Sequence, residues 1–205
     1  MKKSLKEKRE IAKKYQDKYR EDHKEDRKEY KKQLKIKALN SLGGCICVFC
    51  GETKLEYLTI DHKNNDGKKW RISRDNKGKD INFYNLINEN KISKEELDSL
   101  QVLCFNCNCG KSKEYLNIEN EDYDKQYRAK LWRKALNFFG SCKTCGEDNI
   151  QFLSISHIKN NGNKMRKEGQ RGGADLLKVF NKNKWPQSLK EDYCLECFNC
   201  NCSKH

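Results

Sequence analysis

The sequence predicts an α+β fold: two tandem copies of one small cysteine-stapled module, a long charged helix ahead of them, and a second helix joining them. Three observations predict it. First, Cys47, Cys50, Asp61, His62 and Gly67 map onto Cys142, Cys145, Ser156, His157 and Gly162 by adding 95, while Cys104, Cys107, Asn108 and Cys109 map onto Cys197, Cys200, Asn201 and Cys202 by adding 93. Second, "CFNCNC" occurs verbatim in both copies, and "KALNSLGG" (37–44) stands beside "KALNFFGS" (134–141). Third, apolar residues are only 35% of the 205 and charged residues 36%. That is too little for one large core, so small units must be held by cross-links or metal.

Residues 1–40 read as one basic helix. Ile11, Tyr15 and Tyr19 fall at steps of four, Tyr30 and Leu34 continue the same side, and Lys and Arg outnumber Asp and Glu by 16 to 8. Such a helix is either a solvated rod held by i,i+4 ion pairs or an arm that contacts DNA. The first module spans 41–118, a linker helix 119–139, and the second module 140–205. The linker helix is expected from Asp122 to Phe139, with Leu131, Trp132, Ala135, Leu136 and Phe139 on its packed side. Within each module an alternating run predicts a half-buried strand: Leu58 and Ile60 in one, Leu153 and Ile155 in the other. "NNDG" and "NNG" then supply turn chemistry, and "INFYNLINEN" (81–90) and "ADLLKVFNKN" (174–183) read as short amphipathic helices.

The formal net charge of +14 and a pI near 9.2 favour a polyanionic partner, nucleic acid first among them. No stretch near Met1 resembles a signal peptide, and nothing approaches the ~20 apolar residues of a membrane span. An intracellular rather than secreted location is expected, with no membrane partner. Thiols stay reduced there, and paired cysteines hold metal more often than each other.

Four CxxC pairs carry the strongest signal among the 12 cysteines. Cys47 and Cys50 with Cys104 and Cys107 predict one structural zinc site, and Cys142 and Cys145 with Cys197 and Cys200 predict another. A redox CxxC of thioredoxin type would not come as four pairs. Cys45 competes with Cys47, because aligning "KALN" brings Cys45 opposite Cys142. Cys109 and Cys202 share a role, as packing or as an extra ligand, while Cys194 has no assigned partner. His23 reads as a solvated helix residue and His205 as a terminal one.

Between the cysteine pairs lies a possible site. A strand ending in Asp61-His62 is expected to face the helix that carries Asn108. A carboxylate and an amide oxygen are hard ligands suited to Mg²⁺. A neutral imidazole, with an unperturbed pKa of about 6.5, is a fitting base for drawing a proton from water.

"IDHKNNDG" together with "LCFNCN" resembles the HNH endonucleases of the His-Me finger (ββα-metal) class. The four zinc cysteines around each site resemble the phage recombination endonuclease VII branch. This resemblance implies two tandem HNH-like modules and a metal-dependent DNA endonuclease, a hydrolase of phosphodiesters leaving a 5′ phosphate. It makes His62, and His157 in the second copy, the general base. Asp61 and Asn108, with Asn201 in the second copy, become ligands of a catalytic Mg²⁺ or Mn²⁺. It also implies double-stranded or branched DNA as partner, with Lys68, Lys69, Arg71 and Arg74, and Lys164, Arg166, Lys167 and Arg171, as phosphate contacts. The second copy departs from the pattern at Ser156, which makes the first module the expected catalytic one. Two other readings stand beside this: a zinc-dependent nucleic-acid-binding protein of two degenerate modules that cleaves nothing, and a structural component of a ribonucleoprotein.

Overall fold

A computed structural model of the chain describes residues 4–73, 81–116, 122–169 and 172–204. It is a mixed α/β structure with two small two-stranded sheets and two four-cysteine clusters, and the chain divides into two compact units.

The first unit comprises Met1–Gly44 and His62–Leu100. Its helix α1 (Leu5–Asp22) starts at a capping box: the Ser4 hydroxyl accepts from the Glu7 N–H, and the Glu7 carboxylate accepts from the Ser4 N–H. Where the sequence predicts one unbroken leader helix, two follow in series, because His23 leaves helical geometry (φ −110°, ψ 22°) before α2 (Lys24–Asn40) begins. The His23 ring stacks on Tyr19 at 4.0 Å and its Nδ1 lies 3.0 Å from the Tyr19 carbonyl oxygen. That side-chain contact competes with helix continuation. Ion pairs do line both helices (Arg20–Asp17, Lys24–Glu21, Lys28–Glu25, Lys32–Glu29), at i,i+3 rather than the expected i,i+4. Ile11, Tyr15 and Tyr19 are all exposed.

The same unit holds α3 (Gly67–Ser73), α4 (Ile81–Asn88) and α5 (Lys94–Asp98). Helix α2 packs on α4, with Ala38 and Leu39 buried on the first and Phe83 and Ile87 on the second. Asn88 Nδ2 donates to the Leu34 carbonyl at 3.0 Å and fixes their register.

The second unit comprises Cys45–Asp61 and Gln101–His205. Strand β1 (Leu58–His62) pairs with β2 (Leu100–Cys104), and β3 (Leu153–His157) pairs antiparallel with β4 (Tyr193–Cys197) in the register Leu153↔Cys197, Ser154↔Glu196, Ile155↔Leu195, Ser156↔Cys194, His157↔Tyr193. Each closing strand ends on the first cysteine of the second pair and runs directly into a short helix bearing the other, α6 (Phe105–Gly110) and α11 (Phe198–Cys202). The linker helix is α7 (Tyr123–Phe139), capped by the Asp122 carboxylate on the Lys125 N–H. Its Leu131, Trp132 and Ala135 are buried, with Leu136 and Phe139 partly so. They form one core with Leu153, Leu177, Phe180, Trp185 and Leu195, drawn from β3, β4, α9 (Gly173–Lys182) and the loop after it. Helices α8 (Gly162–Lys167) and α10 (Leu189–Asp192) lie between β3 and β4 in the chain, and α10 contacts β4.

Helices α6 and α11 meet through a reciprocal contact. The Asn106 backbone N–H donates to Asn199 Oδ1 at 2.9 Å, and the Asn199 N–H donates to Asn106 Oδ1 at 2.8 Å. Both side chains are buried, so each satisfies a helix-start amide that water cannot reach.

Candidate metal centres and the histidine cavity

The cysteine knuckles are built the same way twice. In the first, Cys47 N–H donates to the Glu52 carbonyl at 2.8 Å and Gly51 N–H to the Cys47 carbonyl at 2.9 Å. In the second, Cys142 N–H donates to the Glu147 carbonyl at 2.7 Å and Gly146 N–H to the Cys142 carbonyl at 2.9 Å. Gly51 (φ 74°) and Gly146 (φ 80°) close these turns in the left-handed region, where a side chain is strained. Cys104 and Cys197 sit at the starts of α6 and α11, and their sulfurs accept the N–H of Cys107 and Cys200 at 3.4 Å.

The thiol sulfurs of Cys47, Cys50, Cys104 and Cys107 all lie within 4.8 Å of one another, as do those of Cys142, Cys145, Cys197 and Cys200. The Cys50–Cys104 and Cys145–Cys197 separations are both 3.7 Å. A disulfide needs about 2.05 Å. A tetrahedron of thiolates at the usual zinc–sulfur distance of about 2.3 Å has an edge of about 3.8 Å. Both groups fit structural zinc sites, and the first takes Cys47, not Cys45. Burial opposes ionisation of Cys47, but backbone N–H groups including those of Cys50 and Phe49 outweigh it and bring the thiol down to about 7. Cys142 is lowered by the matching arrangement. A thiol that ionises more readily in each cluster eases metal capture.

Asp61 is buried in β1, and its Oδ2 accepts from Lys111 Nζ at 2.6 Å and from Gln101 Nε2 at 2.8 Å. In the second copy Ser156 takes its place, and the buried carboxylate is Glu196 on β4, held by Lys204 Nζ at 2.6 Å and by the Thr144 hydroxyl at 2.9 Å. Burial opposes ionisation of Glu196, but hydrogen bonds from Lys204, Ser156 and Thr144 prevail and its pKa falls below the ordinary 4.5. Lys111 and Lys204 are themselves matched positions. Both stand in plain view in "CNCGK" and "CNCSK", but a lysine among so many carries no signal of its own.

The two histidines end their strands in the same local turn. Asn65 N–H donates to the His62 carbonyl at 3.0 Å and Asn160 N–H to the His157 carbonyl at 2.9 Å. Both asparagines are left-handed, φ 55° and 52°, which asparagine tolerates better than most residues. The chain then enters α3 or α8 at a glycine packed against the imidazole. A Cβ on Gly67 would lie 2.8 Å from His62 Nδ1, and one on Gly162 would lie 2.8 Å from His157 Nδ1. Within the first unit His62 packs against Trp70 and Phe83, ring centroids 5.5 and 5.8 Å away, while Trp70 Nε1 donates to Glu96 at 2.9 Å.

In the second unit His157 and Asn201 line one cavity of about 230 Å³, together with Ser156, Asn160, Asn163, Arg166 and Cys202. Asn201 Nδ2 donates to the Ser154 hydroxyl at 3.1 Å, which turns the amide so that its oxygen is the atom left to receive a cation. The lining holds no carboxylate, and the guanidinium of Arg166 bonds Asn163. A divalent cation here would find amide and hydroxyl oxygens but no carboxylate. Such a set suits Mg²⁺ only when water and phosphate oxygens complete its coordination.

Asn108 lies half-buried in α6, and Lys68, Lys69, Lys164 and Lys167 are exposed on α3 and α8. Arg71 lies in α3, its side chain outside the described residues, as are Arg74, Arg171 and His205 altogether. No helix among the described residues is long and apolar enough to cross a membrane. Comparison of the chain with protein-family models, curated proteins and solved structures returns no match.

Proposed function

We propose that the chain is a zinc-stapled, divalent-cation-dependent endonuclease acting on DNA, with its reacting centre beside the turn histidine. The single observation carrying this reading is that His157 and Asn201, a base and a hard oxygen ligand from opposite ends of one module, open into the same cavity beside Arg166. On this reading His157 takes a proton from water, Asn201 holds a cation by its amide oxygen, and Arg166 pairs with a phosphate oxygen. When bound, a divalent cation would supply charge stabilisation to the phosphate and to the departing oxygen. The net charge of +14 supports a polyanionic substrate. His62 carries the same turn and the same glycine contact, which supports it as a second base. Supercoiled plasmid incubated with Mg²⁺ or Mn²⁺ tests the reading. His157→Ala and His62→Ala should each lower nicking, and the double variant should abolish it. Equal nicking by wild type and double variant would end the proposal.

A second reading, a zinc-stapled DNA-binding protein without cleavage, is favoured by one observation. The two carboxylates buried among the described residues, Asp61 and Glu196, are engaged by lysines. Salt-sensitive DNA binding with no cleavage product under any divalent cation would select it.

A further inference from the structure

Two matched cysteines stand outside both zinc groups, and the structure brings them together. The reciprocal Asn106–Asn199 bonds fix α6 against α11. Cys109 and Cys202 each follow one of these asparagines by three residues, one helical turn along, and so share its face. Helix α6 packs on α11, and each of the two thiols is the leading side-chain influence on the other. The eight zinc-site thiols are accounted for elsewhere, so this pair is not spent on structural metal. Both cysteines are only partly buried, and Cys202 lines the His157 cavity, which gives a small oxidant a route to the pair.

We propose that Cys109 and Cys202 are a redox site that closes into a disulfide joining the two zinc modules. With hydrogen peroxide as oxidant, one thiolate attacks a peroxide oxygen, breaking the O–O bond to leave a sulfenic acid and hydroxide, which leaves as water. The second thiol then displaces the sulfenic hydroxyl as another water and forms the S–S bond. Overall two thiols lose two hydrogens and one peroxide becomes two waters. A small-molecule dithiol reverses the bond by exchange. Closure ties α6 to α11 covalently and withdraws the Cys202 thiol from the cavity. The site stands whether or not that cavity cleaves DNA.

The test uses the full-length, zinc-loaded chain and a stoichiometric amount of hydrogen peroxide, with alkylation, intact mass and zinc content as readouts. Wild type should lose two hydrogens, protect two thiols from alkylation, retain both zinc ions, and return to the starting mass on reduction. Cys109→Ser and Cys202→Ser should each fail to lose the two hydrogens. Peptide mapping of oxidised wild type should place the bond between the two "CFNCNC" segments, a readout that does not depend on either variant folding. A single variant that still loses two hydrogens, zinc release in step with oxidation, or oxygen adducts in place of a disulfide would each overturn the proposal.

Discussion

Lys111 Nζ stands 2.6 Å from Asp61 Oδ2, and the matched lysine of the second copy, Lys204, holds Glu196 instead. The carboxylate has changed strands: Asp61 on β1 corresponds to Ser156, and Leu103 on β2 corresponds to Glu196. Each module thus keeps one buried carboxylate–lysine pair beside its second cysteine pair, by different residues. Ser156 is the hydrogen-bond donor that Glu196 requires rather than a bare loss of charge.

The first prediction follows from that pair. Asp61→Ala takes the carboxylate from the largely enclosed Lys111 side chain, and should destabilise the fold by roughly 3 kcal/mol in denaturant titrations. Asp61→Asn combined with Lys111→Met should recover most of that loss. Should Asp61→Ala instead leave stability unchanged and weaken only divalent-cation binding, the carboxylate is a ligand and not a structural partner.

Gly162 and Gly67 give the second. Alanine at either position forces the neighbouring imidazole aside, since the added carbon would sit 2.8 Å from Nδ1. Displacements of about 1 Å at a reacting group can cost about a hundredfold in rate. Gly162→Ala should therefore lower cleavage by at least about tenfold while zinc content stays at wild-type level. Its His157 resonances should shift in NMR spectra. An unchanged imidazole spectrum would refute the contact.

Zinc supplies a third. Two metal ions per chain are expected by elemental analysis, and a strong chelator should unfold the second unit, because both clusters lie in it. Cys107→Ser and Cys200→Ser should each halve the zinc content. Removal of Mg²⁺ should leave the circular dichroism spectrum unaltered.

Lys113 sets the fourth. Its side chain lies over the Trp132 ring with Nζ 3.5 Å from the centroid, and donates to the Leu153 carbonyl. Burial drives its ammonium down to about 7 from an ordinary 10.5, with Cys109 acting weakly the other way. Between those values the unfolded chain binds more protons than the folded one, so stability should rise as pH increases from about 7 towards 10.5, and be flat in this respect below 7. Lys113→Met should remove that slope. Glu196 acts at the other end: its lowered pKa contributes stability above 4.5 that is lost as pH falls through the folded value.

Repeat arithmetic made much of this legible. Matching offsets located both cysteine groups, both histidine turns and the helices α4 and α9, because thiol pairs and Asn-Gly turns have local chemistry a sequence displays. The linker helix was equally plain from its apolar spacing. Strands β2 and β4 were not, since runs such as "LQVLC" are buried along most of their length and show no alternation. The break at His23 depends on one ring meeting one carbonyl, a contact without periodicity. Least visible were the Asp61–Lys111 and Glu196–Lys204 pairs. Their partners are 50 and 8 residues apart, so no common spacing announces a shared role.

The reciprocal Asn106–Asn199 contact is what a symmetric dimer of single modules would make, here joined in one polypeptide. In a dimer of identical subunits every mutation arrives twice, so neither half can change alone. Fusion lifts that constraint. The exchange of aspartate for serine on one strand, with glutamate gained on its neighbour, is the kind of divergence a covalently joined ancestor permits: one half can specialise while the other preserves the inherited arrangement.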